Sequence, residues 1–100
     1  MVKHIILWNL KDEYSDGEKA QIKENAKVAL EGLVGQIPGL LDMKITTKYL
    51  ESSTAELMLD STFESADALE NYAVHPEHVA VADKFVRPYT SSRSCIDYEI

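Results

Sequence analysis

His78, Tyr72, His75 and His4 are the residues whose types and spacing could support proton transfer. On a helical wheel of residues 76–86, His78 falls in the middle of the apolar arc formed by Val79, Val81, Ala82, Phe85 and Val86, so its imidazole points inward. Desolvation disfavours the charged ring, which leaves it neutral at physiological pH and able to accept a proton. That is the state a general base needs. Tyr72 lies at the edge of the apolar side of the preceding helix and brings a phenol that can donate a hydrogen bond. His4 shares a strand face with Ile6 and Trp8; if that face lies beneath the helices, three polar side chains converge on an apolar pocket. His75 stands at the start of a helix, where a residue often does no more than cap it. A plainer reading stays open beside this one, because inward histidines and tyrosines commonly satisfy a buried backbone group and do nothing further.

Other chemistries fit the residues less well. His75 and His78 are three apart with Glu77 between them, and His4 could bring a third nitrogen to a metal. The two histidines of a zinc-protease helix are four apart, however, and the wheel puts Glu77 on the outer side, so no metal is expected. There is no glycine-rich phosphate loop, since Gly32, Gly35 and Gly39 belong to the end of a helix. Cys95 is the only cysteine, which rules out an intramolecular disulfide and suits a reducing compartment. It falls on a predicted strand with no obvious base beside it, which argues against a nucleophile. Glu56 and Asp60 alternate on the polar side of a strand and read as solvated charges. The net charge is −7, with ten basic residues scattered among seventeen acidic ones and no basic stripe, so a nucleic-acid partner is excluded. No apolar run approaches membrane-spanning length, and the first eight residues are too short and too quickly charged for a signal peptide; a cytoplasmic protein is expected.

The elements that must position these side chains follow from periodicity. Residues 2–9 alternate with apolar side chains on both faces, as in a strand covered on both sides. Ser15 and Glu18 form a capping box for a helix from about Asp16, whose stripe of Ile22, Ala26, Ala29, Leu30, Leu33 and Ile37 carries it to Ile37-Pro38-Gly39. Leu41, Met43, Ile45, Thr47 and Tyr49 mark the buried face of a second strand, and Ala55, Leu57, Leu59 and Phe63 that of a third, joined by a short turn as an antiparallel hairpin. Ser65 caps a second helix with Ala66, Leu69, Tyr72 and Ala73 inward. Pro76 interrupts it, pushes His75 out of the helical region and opens a short helix to about Val86. Ser94, Ile96, Tyr98 and Ile100 alternate with Arg93, Cys95, Asp97 and Glu99 in a last strand. The 100 residues, 45% hydrophobic, make one α+β domain over 1–100 with the βαββαβ order of ferredoxin-like folds and an antiparallel four-stranded sheet. Helices cover one sheet face. Ile5 and Leu7 make the other face apolar enough to meet a second copy, so a homodimer through the open sheet face is expected.

Four segments carry a resemblance to the stress-responsive A/B barrel (Dabb) domain family: Val2-Lys3-His4-Ile5, Ile37-Pro38-Gly39, Thr62-Phe63-Glu64-Ser65 and above all Tyr72-Ala73-Val74-His75-Pro76-Glu77-His78-Val79. The resemblance runs nearly end to end. It implies a protomer that pairs sheet to sheet into a dimeric α+β barrel, with a pocket between sheet and helices. In the plant polyketide cyclase branch, a tyrosine and a histidine close a poly-β-keto chain by aldol condensation without a cofactor. By position these match Tyr72 and His78, and His4 and His75 also have histidine counterparts near that pocket. The resemblance thus implies a cofactor-free cyclase, lyase or isomerase acting on a small apolar carbonyl compound. His78 would be the base, Tyr72 the hydrogen-bond donor, and His4 and His75 ligand contacts; Trp8, on the strand face of His4, is expected as a further contact from its position alone. The alternative from another class is a non-catalytic, stress-associated dimer that binds a small ligand. Barrel monooxygenases form a third option.

Overall fold

In the computed structural model, which describes Met1–Ile100, strict alternation from Val2 to Leu10 forms β1 and buries Val2, His4, Ile6, Trp8 and Leu10 on one face. Five further elements and a closing strand follow: α1 (Asp16–Glu31), β2 (Leu40–Thr46), β3 (Leu57–Phe63), α2 (Ala66–Val74), α3 (Pro76–Phe85) and β4 (Thr90–Glu99). The sheet is antiparallel in the order β2-β3-β1-β4. This is the expected ferredoxin-like βαββαβ arrangement, with its second helical region split by Pro76. The core lies between the inner sheet face and the helices, where Trp8, Leu59 and Phe63 meet Ala26, Leu30 and Tyr72.

The capping box at Ser15 is formed in full. Ser15 Oγ accepts from the Glu18 N–H at 3.2 Å, and Glu18 Oε1 accepts from the Ser15 N–H at 2.9 Å. The far end of α1 departs from expectation. The helix stops at Glu31, and the chain continues through tight turns in which Leu33, Val34 and Gln36 donate to the carbonyl three residues back, with Gly35 at φ +88°. Leu33 and Ile37 are still buried, so the apolar spacing was satisfied by turns rather than by helix. Glu31 ties this end down: its Oε2 accepts from the Ile45 N–H at 2.9 Å and from Lys27 Nζ at 2.7 Å, and Lys27 also donates to the Ile45 carbonyl. The backbone N–H and carbonyl that Ile45 turns to the outer edge of β2 are thereby both occupied.

Two strand assignments shift. A register change between Leu40 and Asp42 inserts an extra residue, so Leu40 turns inward and Leu41 is 42% exposed. β2 ends at Thr46, leaving Thr47 and Tyr49 outside the sheet. Just before it, Gly39 has φ +83°, and a Cβ there would come within 2.5 Å of the Ala68 side chain, so glycine is required where β2 crosses α2. Ala66 is exposed at the start of α2, and Ala68 with Leu69 packs on the core in its place. Glu56 and Asp60 are also more than solvated charges: Lys19 Nζ lies 3.1 Å from Glu56 and Lys3 Nζ 2.6 Å from Asp60. The pairing register puts Ile5, Leu7, Met58, Ile96 and Tyr98 together on the open sheet face, with Leu7 40% and Ile96 60% exposed.

Candidate active site

The break between α2 and α3 builds one wall of a pocket. Pro76 has no N–H to give the Tyr72 carbonyl, which accepts instead from the His75 N–H at 3.1 Å. His75 is extended at φ −66°, ψ 133°, the conformation a following proline imposes. Its Nδ1 accepts the Glu77 N–H at 3.1 Å, making it the N-cap of α3. In an unbroken helix that N–H would have gone to the Ala73 carbonyl. The carbonyl is instead free for His78, whose Nδ1 lies 3.2 Å away. A carbonyl oxygen can only accept, so Nδ1 holds the proton and Nε2 presents its lone pair. Burial pushes the His78 imidazole below the ordinary histidine range; the bond to Ala73 pulls the other way, and the nearby charges of Arg87 and Arg93 add to the lowering.

Tyr72 is 2% exposed, with its ring 4.1 Å from that of His78 and 4.9 Å from that of Phe63. Burial raises its phenol far above the usual range, with Arg93 opposing, so it remains a neutral donor. No protein hydrogen bond acts on that hydroxyl. It is a donor without a partner in the protein.

The second wall comes from the sheet. His4 is buried, and its Nδ1 lies 2.5 Å from Oδ1 of Asp97, its direct partner across β1 and β4. The carboxylate accepts, which leaves Nε2 of His4 for other contacts. Cys95, expected to have no base beside it, has its Sγ 3.5 Å from Asp97 Oδ1 and 3.7 Å from His4 Nδ1. Burial and then the Asp97 charge push its thiol up, and the histidine nitrogen nearest it is already bound to Asp97, so the sulfur stays protonated. His4, Cys95 and Asp97 offer donor atoms within 4.8 Å of one another, of types that zinc accepts; neither His75 nor His78 belongs to that group.

Between the two walls lies a cavity of about 290 Å³. His4, Trp8, Tyr72 and His78 line it together, while His75 lies outside the lining with its Nδ1 used in the helix cap. Arg87 and Arg93 also line it and were missed from the sequence. For Arg93 the available signal was its spacing of two from Cys95 and four from Asp97, which places all three on one face of β4 opposite His4, Ile6 and Trp8; Arg87, between α3 and β4, had no such signal.

Comparison with known proteins places the family and the fold. The model of the stress-responsive A/B barrel domain matches residues 2–100. Olivetolic acid cyclase of Cannabis sativa is 29% identical over 101 residues, spanning 97% of this chain and 94% of that one. A dimeric ferredoxin-like protein of unknown function from Bacteroides fragilis has a TM-score of 0.91 at 34% identity, covering 99% of this chain and 95% of that chain. Hydroxynitrile lyase of Passiflora edulis shares the fold, with a TM-score of 0.75 at 21% identity over 99% of this chain and 92% of that one.

Proposed function

The chain belongs to the stress-responsive A/B barrel domain family, and from that premise we propose that it is a cofactor-free enzyme, a cyclase, lyase or isomerase acting on a small carbonyl compound. One observation carries the proposal: a histidine with its base nitrogen free and a buried phenol with its donor free stand ring to ring on one pocket. In this reading His78 Nε2 removes a proton from carbon next to the substrate carbonyl. Negative charge then builds on the carbonyl oxygen, where the Tyr72 hydroxyl donates a hydrogen bond that strengthens as charge develops. In a cyclisation the resulting carbanion attacks a second carbonyl of the same molecule, and the His78 imidazolium returns its proton to the new alkoxide. Every step is a proton transfer or a bond within the substrate. His4, positioned by Asp97, and Trp8 would contact the ligand from the sheet side. The relation to a cyclase at 29% identity supports this class of chemistry.

The pocket would work within a homodimer. The open face carries Ile5, Leu7, Met58 and Ile96, and the similar Bacteroides fragilis protein is dimeric. Ile96→Glu, on that face, should convert a dimer to a monomer in light scattering; a parent protein that is monomeric at micromolar concentration would sink this part.

Turnover of a panel of small β-keto compounds tests the catalytic reading. His78→Ala should lower kcat by about 10²–10⁴-fold, the usual contribution of a positioned base. Tyr72→Phe should cost about 10²-fold, in the range of a lost oxyanion donor. A parent protein that turns over nothing, yet binds ligands in the pocket, would assign it to non-catalytic binding.

A further inference from the structure

The ionisable side chains around the pocket are two arginines, two histidines and a tyrosine, with no aspartate or glutamate among the lining residues. This is a local reversal in a chain of net charge −7. The two arginines differ in their partners. Arg87 is paired with Asp83 one helical turn back, at a site where both side chains are more than half exposed. Arg93 has no ion-pair partner at all. It sits on β4 directly opposite Trp8, on the same face as Asp97, whose carboxylate is already taken by His4. It lines the same cavity as Tyr72 and His78, and its charge acts on both. A guanidinium presents a planar fork of donors that matches a carboxylate in paired hydrogen bonds.

We propose that the pocket selects ligands carrying a carboxylate, with Arg93 gripping it and Arg87 adding attraction at the rim, so that the substrate class is a small keto acid. The orientation rests on the catalytic reading above, in which the reacting carbonyl lies between Tyr72 and His78; the preference for a carboxylate does not. The cavity of about 290 Å³ limits what the chain's own walls can enclose. It stands at the lower end of the roughly 300–1,000 Å³ of small-molecule sites, so the ligand it suits is small. Such a ligand is a short keto acid or a single ring bearing a carboxylate.

The test is a matched pair of stable, equally sized ligands, 2-hydroxybenzoate and 2-hydroxybenzamide, titrated at low salt. Isothermal titration gives affinities, and the Trp8 indole N–H resonance reports occupancy of this pocket. The acid should bind about tenfold or more tightly than the amide, the effect of one charge-assisted pair. Arg93→Gln should erase that preference while leaving the amide's affinity in place, Arg93→Lys should keep part of it, and Arg87→Gln should weaken it less. Circular dichroism of each variant checks folding. Equal binding of the two parent ligands overturns the proposal, as does binding of neither, or a preference that survives Arg93→Gln. His78→Ala separates the two readings: it should lower kcat by the same factor of about 10²–10⁴ and leave the carboxylate preference intact. A parent protein that prefers the acid but turns over no keto compound refutes the catalytic reading alone.

Discussion

The helical wall of the pocket, Tyr72 to His78, and its strand wall, His4 across to Arg93, hold polar groups over the same cavity by opposite means. On the helical side the polar groups are fixed by backbone. A proline removes one N–H, a cap takes the next, and the carbonyl left over orients His78. On the strand side they are fixed by one another, His4 against Asp97 and Cys95 against both, along an edge strand whose residues beyond Thr90 are exposed. The helical wall therefore presents neutral groups of set protonation, suited to moving protons. The strand wall presents charge, suited to holding an ion. Changes at their junction and then within each wall should separate these two roles.

The largest effect is expected at the junction. Phe63 is fully buried, 4.9 Å from the Tyr72 ring and 6.2 Å from that of His4. Phe63→Ala removes the support of both walls, and chemical denaturation should show a loss of about 3–5 kcal/mol. A loss below about 1 kcal/mol would mean that the two walls stand without a shared base. Next is Pro76→Ala, which touches only the helical wall. The restored N–H can pair with the Tyr72 carbonyl, allowing Glu77 to bond to Ala73 and displace His78. If the pocket is catalytic, kcat should fall by about tenfold from misplacement of the base. Nitrogen-15 spectra of the imidazole should show the proton no longer held on Nδ1. An unchanged tautomer would show that the proline is not what orients His78.

The contrast between the walls also explains what could be read from the sequence. The helical wall depends on residues within two turns of each other, so Pro76, the cap at His75 and the apolar arc containing His78 were all visible in a short window. The strand wall joins residues 93 positions apart, and nothing local states which residue of β4 faces His4. Arg93 and Asp97 thus passed as ordinary polar alternation. The same limit governs the scaffold. The capping box fixed the start of α1, but its end at Glu31 depends on contacts with Ile45 in β2, and the burial of Leu33 and Ile37 is compatible with either helix or turns. Leu41 was misassigned because a bulge breaks the period of two on which strand reading relies.

On the strand wall a smaller effect is expected from Asp97→Asn. After burial, the Asp97 carboxylate is what raises the Cys95 thiol, so the substitution should lower that thiol toward its ordinary range. Alkylation by iodoacetamide at pH 8 should then be faster than in the parent protein, because the thiolate is the reactive form. Equal rates would mean that burial alone governs the thiol.

The smallest effect tests whether the charged wall acts on the neutral one. Burial lowers the His78 imidazole first, and the positive charges of Arg87 and Arg93 lower it further. A lowered value means that the base form persists into more acidic solution, so the titration of His78 followed by NMR should centre below 6.5, the ordinary histidine value. Arg93→Gln removes one positive charge that disfavours the imidazolium, and the midpoint should move up, though not past 6.5, because burial remains. A midpoint at or above 6.5 in the parent protein would deny the desolvated site. A midpoint unmoved by Arg93→Gln would mean that the two walls are electrostatically independent, with Arg93 holding its ligand without influencing the base.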